Sequence, residues 1–171
     1  DFYSTEFYTN KLIEYIDSNH QDDKPFFAYL AYTAPHWPLQ APIKSIEKYI
    51  GNYDDGYEVL YENRMTKLKS LNLLEHEIVN SQPLLEDKAW DSLSDEEKKR
   101  SSKLMEIYAA MVSDLDQYIG NLVSYLKDIG EYENTFIFFM SDNGAEGHPL
   151  DQSFSEYGIA AKLETCCDHS Y

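Results

Sequence analysis

The sequence predicts an α/β fold, a mainly parallel sheet flanked by helices, from three observations. Residues 25–33 and 136–140 are short and apolar on both side-chain parities, the pattern of strands covered on two faces. A long helical periodicity separates them, with shorter helical stretches before it. Strand, helices and strand in that order form an elaborated crossover between strands of one sheet.

The first element is an amphipathic helix over 5–19, with Tyr8, Leu12, Tyr15 and Ile16 at helical spacing. Ser4 or Thr5 can cap its start, and Asp17-Ser18-Asn19 makes a polar exit. A polar turn over 19–23 leads into the first strand. Pro35, Pro38 and Pro42 then forbid helix or ladder and are expected to hold an extended loop. Helices are expected around 44–50 and over 57–72, the second with Val59, Leu60, Leu68 and Leu71 as its apolar side. Residues 73–94 are mixed, with Pro83 as a breaker, and read as irregular.

Ser94-Asp95-Glu96-Glu97 is a capping box, in which the serine bonds forward to a backbone N–H and the glutamate reaches back. From it Leu104, Tyr108, Met111, Leu115, Tyr118, Leu122 and Leu126 recur at steps of four and three until Gly130, a natural stop. The second strand follows and ends at Ser141-Asp142-Asn143-Gly144. The expected organisation is one α/β domain over 1–150, with a helical insertion around 44–100 and a poorly patterned tail over 151–171.

Composition limits what this fold can do. With 171 residues, 43% of them apolar, the chain can bury a sizeable core and is too apolar for disorder. Its net charge of -17 argues against a nucleic-acid or anionic-membrane partner, since either needs a basic face. Most of the acidic excess is expected on solvated surface. No window holds the ~18 consecutive apolar residues of a membrane span, and residues 1–30 lack the basic start and apolar run of a leader, so neither is expected. Cys166 and Cys167 are adjacent, which excludes a disulfide framework and a spaced zinc-binding pair.

The chemistry gathers at two strand ends. Asp142 and Asn143 sit where the second strand reaches its carboxyl end, the place where open α/β sheets put their ligands. One carboxylate and one amide oxygen are hard donors suited to Ca²⁺ or Mg²⁺, and Gly144 can turn the chain so that both converge. The tripeptide read alone is more often an ordinary turn. The first strand runs into Thr33-Ala34-Pro35-His36-Trp37-Pro38. If the two strands are neighbours, His36 lies on the same sheet edge as Asp142 and could give a proton or hydrogen bond to an anionic substrate. The alternative is a packed loop histidine bonded to backbone. His20, His76, His148 and His169 read as turn, helix surface, loop and tail. There is no phosphate-binding glycine loop, Gly-x-Ser-x-Gly elbow or CxxC.

Together, "PFFAYLAYTAPHWPLQAP" and "NTFIFFMSDNGAEG", separated by "MEIYAAMVSDLDQYIGNLVSYL", resemble the middle of a type I sulfatase of the arylsulfatase kind, in the alkaline-phosphatase superfamily. The resemblance runs from about Tyr3 to Gly147. It implies a partial alkaline-phosphatase-like α/β core that hydrolyses sulfate monoesters, with a formylglycine nucleophile and a Ca²⁺ held by aspartates and an asparagine. By position, Asp142 and Asn143 resemble two of the calcium ligands, and His36 the histidine that contacts the sulfate ester. The implied partner is a sulfated small molecule or carbohydrate.

Phosphate-ester relatives tend to have histidine after the aspartate, so Asn143 favours a sulfatase over a phosphoester hydrolase. The formylglycine motif, Cys or Ser followed by x-Pro-x-Arg, is absent from the sequence, and Cys166-Cys167-Asp168-His169 does not match it. The family's earlier calcium aspartates are absent as well, and Lys162 is not assigned a catalytic role. The expectation is therefore part of a sulfatase, inactive alone, with a partial calcium site. The rival reading is a non-catalytic acidic interaction protein with a degenerate sulfatase fold.

Overall fold

The computed structural model describes residues 2–19, 24–74 and 89–144. The expected 151–171 tail, the cysteine pair, Lys162 and the other four histidines lie outside the described residues. Four α-helices are described: α1 (Ser4–Asn19), α2 (Ile43–Ile46), α3 (Tyr57–Ser70) and α4 (Asp95–Asp128). Two compact units divide the chain, one of Asp1–Gln40 with Asp114–Tyr171, the other of Ala41–Ser113.

In the first unit α1 forms where the periodicity places it, but its buried seam differs. Thr5, Thr9 and Ile16 are buried, whereas Tyr15 is exposed. The seam is thus more polar than the aromatic spacing suggests, because a threonine hydroxyl can be satisfied by its own helix: Thr9 Oγ1 donates to the Thr5 carbonyl at 2.9 Å. Tyr3, just before α1, stacks at 6.4 Å on Tyr118 of α4. Burial raises the Tyr3 phenol from its ordinary 10.0 to about 12; the Thr5 hydroxyl opposes the shift and the Asp114 carboxylate adds to it.

The end of α4 is a Schellman motif. Glu131 N–H donates to the Leu126 carbonyl at 2.9 Å and Gly130 N–H to the Lys127 carbonyl at 3.1 Å, with Gly130 at φ 78°. Glycine takes that φ without a Cβ clash, so the predicted stop at Gly130 has its cause in the backbone.

In the second unit the capping box at the start of α4 forms as the sequence predicts. Ser94 N–H donates to Glu97 Oε2 at 2.8 Å, and Glu97 N–H to Ser94 Oγ at 3.3 Å. Helix α2 continues as a 3₁₀ turn over Glu47–Tyr49. Helix α3 buries none of its residues, so the apolar side expected from Val59, Leu60, Leu68 and Leu71 is not a core face; Val59 and Leu71 are exposed. The anchor is instead Trp90, in a segment expected to be irregular. It is buried at the start of a short 3₁₀ turn and meets Tyr57 edge-on at 5.0 Å.

Two acidic side chains of α4 are buried, exceptions to an acidic excess expected mostly on solvated surface. Glu106 accepts from Gly51 N–H at 2.8 Å and from Lys103 Nζ at 3.2 Å. Asp114 lies beside Tyr3 in the first unit.

The expected sheet is not formed among the described residues: neither 25–33 nor 136–140 carries a strand ladder. Their apolar side chains face solvent, Phe27 at 94% and Phe138 at 80% exposure. A strand, unlike a helix, needs a neighbour for its N–H and C=O groups. Local geometry in the second segment is strand-like. Thr135 enters it in extended conformation, and the rings of Phe136 and Phe138 touch at 4.4 Å, the i, i+2 relation of one strand face.

Candidate functional site

All three candidate residues belong to the first unit, each just beyond one of the two apolar segments. The loop after 25–33 is a tight turn over 34–38, where the sequence suggested an extended run. Its Ala34–Pro35 and Trp37–Pro38 peptide bonds are both cis. His36 N–H donates to the Thr33 carbonyl at 2.9 Å, and Leu39 is buried just beyond.

The His36 ring is exposed, with Nδ1 2.7 Å from the Trp37 carbonyl oxygen. A carbonyl can only accept, so this contact puts the proton on Nδ1. Nε2 is then the nitrogen left for chemistry. It accepts in the neutral ring and donates in the imidazolium.

Asp142 and Asn143 are exposed at the end of the second segment. Asn143 Nδ2 donates to Asp142 Oδ2 at 3.1 Å, and Ser141 Oγ donates to the Asn143 carbonyl. Spending its NH₂ on Asp142 leaves Asn143 Oδ1 as an acceptor, and the carboxylate keeps Oδ1 outside the same bond. Two hard oxygens on adjacent residues fit a Ca²⁺ site as a fraction of the about six to eight ligands it takes. Among the described residues no group of three or more His, Cys, Asp or Glu side chains gathers that could hold a metal. Gly144 has open space around a would-be Cβ and does not take a left-handed φ, so the turn at Asp142-Asn143 does not depend on it.

The structure thus joins Asp142 to Asn143 directly. No hydrogen bond links His36 to either among the described residues. What the sequence reading missed is a second set of polar groups, at Thr9 on α1 and at Tyr32 four residues before His36, whose hydroxyls lie 2.6 Å apart. Burial raises the Tyr32 phenol pKa, and the Thr9 hydroxyl opposes the shift. The available signal was Thr5 and Thr9, one helical turn apart on α1. Among the described residues no helix is long and apolar enough to cross a membrane.

Comparison with known proteins relates the chain to a family. The sulfatase family model matches residues 1–162. The chain is 48% identical over 153 residues to an uncharacterized sulfatase of Schizosaccharomyces pombe, covering 88% of this chain and 27% of that protein. It is 41% identical over 145 residues to the arylsulfatase of Klebsiella aerogenes, covering 85% of this chain and 31% of that enzyme. To arylsulfatase J of Mus musculus it is 31% identical over 144 residues, 84% of this chain and 16% of that protein. The chain therefore spans less than a third of the length of each of these relatives.

Proposed function

The chain belongs to the sulfatase family, and we propose that it carries two strand-end elements of a sulfuric ester hydrolase: a calcium half-site at Asp142 and Asn143, and the sulfate-contacting His36. The observation that carries the reading is the Asn143 to Asp142 hydrogen bond, which leaves an oxygen of each residue to face a cation. The substrate class is a sulfate monoester of a small molecule or carbohydrate.

The proposal includes the sheet. Residues 25–33 and 136–140 are neighbouring parallel strands of an alkaline-phosphatase-like α/β domain over 1–150, with residues 44–100 as a helical insertion and 151–171 as a tail. Solvent-facing apolar side chains on both segments support it, because strands of such a sheet are covered on both faces.

The chain's own residues divide the work as follows. Asp142 and Asn143 contribute one anionic and one neutral oxygen, so the half-site binds a hard cation and supplies only one of the negative charges that oppose it. Bound Ca²⁺ would supply positive charge toward the sulfuryl oxygens, where charge develops in the transition state. His36, with its Nδ1 proton held by Trp37, meets the ester through Nε2. Donation from Nε2 to the departing oxygen requires the imidazolium form. The sequence holds no Cys or Ser followed by x-Pro-x-Arg, so no nucleophile is assigned here, and the chain alone is expected to be inactive.

The test is turnover of an aryl sulfate and an aryl phosphate by a polypeptide that extends this chain upstream with sulfatase sequence. The reading predicts that the sulfate ester is preferred and that a chelator stops the reaction. A clear phosphate preference would replace it with a phosphoester hydrolase.

A further inference from the structure

Thr9 is fully buried on α1, and its hydroxyl has two neighbours: the Thr5 carbonyl at 2.9 Å and the Tyr32 hydroxyl at 2.6 Å. The carbonyl can only accept, so the single Thr9 hydroxyl proton goes to Thr5. The contact with Tyr32 must then run the other way, with the phenol donating to Thr9 Oγ1. The raised phenol pKa keeps Tyr32 in this donor form through neutral pH.

Tyr32 lies two residues before the 34–38 turn that carries His36. The Thr33 carbonyl, one residue on, receives the His36 N–H at 2.9 Å, and the His36 Nδ1 proton closes on the Trp37 carbonyl at 2.7 Å. The Tyr32 side chain is thus hydrogen-bonded to the buried seam of α1, and its backbone runs directly into Thr33, the residue that receives the His36 N–H. The turn itself offers His36 only backbone partners, on an exposed ring.

We propose that Thr9 and Tyr32 are positioning residues for His36: their half-buried hydroxyl pair anchors the segment leading into the 34–38 turn to α1 and so fixes which ring nitrogen of His36 is left for the sulfate ester. The proposal rests on the reading of His36 as the sulfate-contacting residue, but the pair can be tested without turnover. Neither Thr9 nor Tyr32 touches the ester. They act through the backbone that holds the imidazole, and a shift in that backbone weakens the Nδ1 contact that selects the tautomer.

The experiment is nitrogen-resolved NMR of the His36 ring, with exchange of the His36 amide, in the full 171-residue chain. In the unsubstituted chain the proton is expected on Nδ1 and the amide to be protected. Tyr32→Phe and Thr9→Val each remove one hydroxyl while keeping side-chain volume. Both should move the ring toward the Nε2-protonated tautomer and speed amide exchange by about five- to tenfold, the scale of one lost hydrogen bond. Thr9→Ser restores the hydroxyl and should behave as the unsubstituted chain. Tyr125→Phe, which removes an α4 phenol that donates to Asp17 near the other end of α1, should do the same.

The proposal is overturned if His36 is unchanged in Tyr32→Phe and Thr9→Val, or if Tyr125→Phe disturbs it equally. Failure of the sulfate-contact reading has a different signature: inorganic sulfate added to the calcium-loaded, upstream-extended protein would leave the His36 signals unmoved while the Tyr32→Phe and Thr9→Val variants still shift the tautomer.

Discussion

Helix α4 and the two apolar segments invert the expected order of burial: the charged, amphipathic helix is packed and the more apolar segments are exposed. Helix α4 begins on a capping box, ends on a Schellman motif, and buries Ile107, Ala110, Met111, Leu115 and Leu126. Residues 25–33 and 136–140 form no ladder and expose Phe27, Tyr29, Phe136, Phe138 and Phe139. A helix satisfies its backbone within one segment, whereas a strand depends on its neighbours. The candidate site hangs on the dependent kind. His36 and Asp142 each lie just beyond a segment that needs strand partners, so the proposed sheet is what would bring these two residues together.

Core truncation should separate the two regions most sharply. Leu126→Ala, at a side chain only 2% exposed, is expected to lower stability by about 2–5 kcal/mol in urea unfolding followed by far-ultraviolet circular dichroism. A loss within the surface range would show that α4 is not the stable partner in the comparison. Gly56→Ala comes next. Gly56 sits at φ 90° at the start of α3, and an added Cβ would lie 2.4 Å from Trp90 Cγ, so about 2–3 kcal/mol should be lost, read by tryptophan fluorescence during unfolding. An unchanged midpoint would mean that Trp90 does not anchor α3.

Ser94→Ala removes the hydroxyl of the capping box and should cost about 1 kcal/mol in the same denaturation. Alkaline pH sharpens the helical side of the comparison through Tyr3. Its folded pKa is raised, so its contribution is complete below the ordinary phenol value of 10.0 and is lost as pH climbs through about 12. Urea midpoints of Tyr3→Phe should therefore fall less over that interval than those of the unsubstituted chain. The smallest effect belongs to the apolar segments: Phe138→Ala, at a side chain already 80% exposed, should change stability by no more than about 0.5 kcal/mol.

The same division explains what was legible in the sequence. Helices α1 and α4, the capping box and the stop at Gly130 follow from spacing and local chemistry, which act within a few residues. The seams were legible only in outline. Thr9 and Glu106 are buried because specific partners receive them, and no periodicity in apolar residues announces those partners. Trp90 belongs to the same class, a lone aromatic whose place depends on Tyr57 and Gly56. At the site, the adjacency of Asp142 and Asn143 was readable and their mutual hydrogen bond follows from it. The Thr9 to Tyr32 contact spans 23 positions and is visible only in the fold.

The central claim is that Asp142 and Asn143 are calcium-facing residues of a sulfate-ester hydrolase. Its most direct test is aryl sulfate hydrolysis by the upstream-extended protein with Asp142→Ala, measured beside the unsubstituted form after chelation and again after calcium is returned. The account predicts a loss of roughly 10²–10³-fold on substitution, a matching loss on chelation, and recovery with calcium only where Asp142 is present. Full, chelator-insensitive hydrolysis by the Asp142→Ala protein would contradict it.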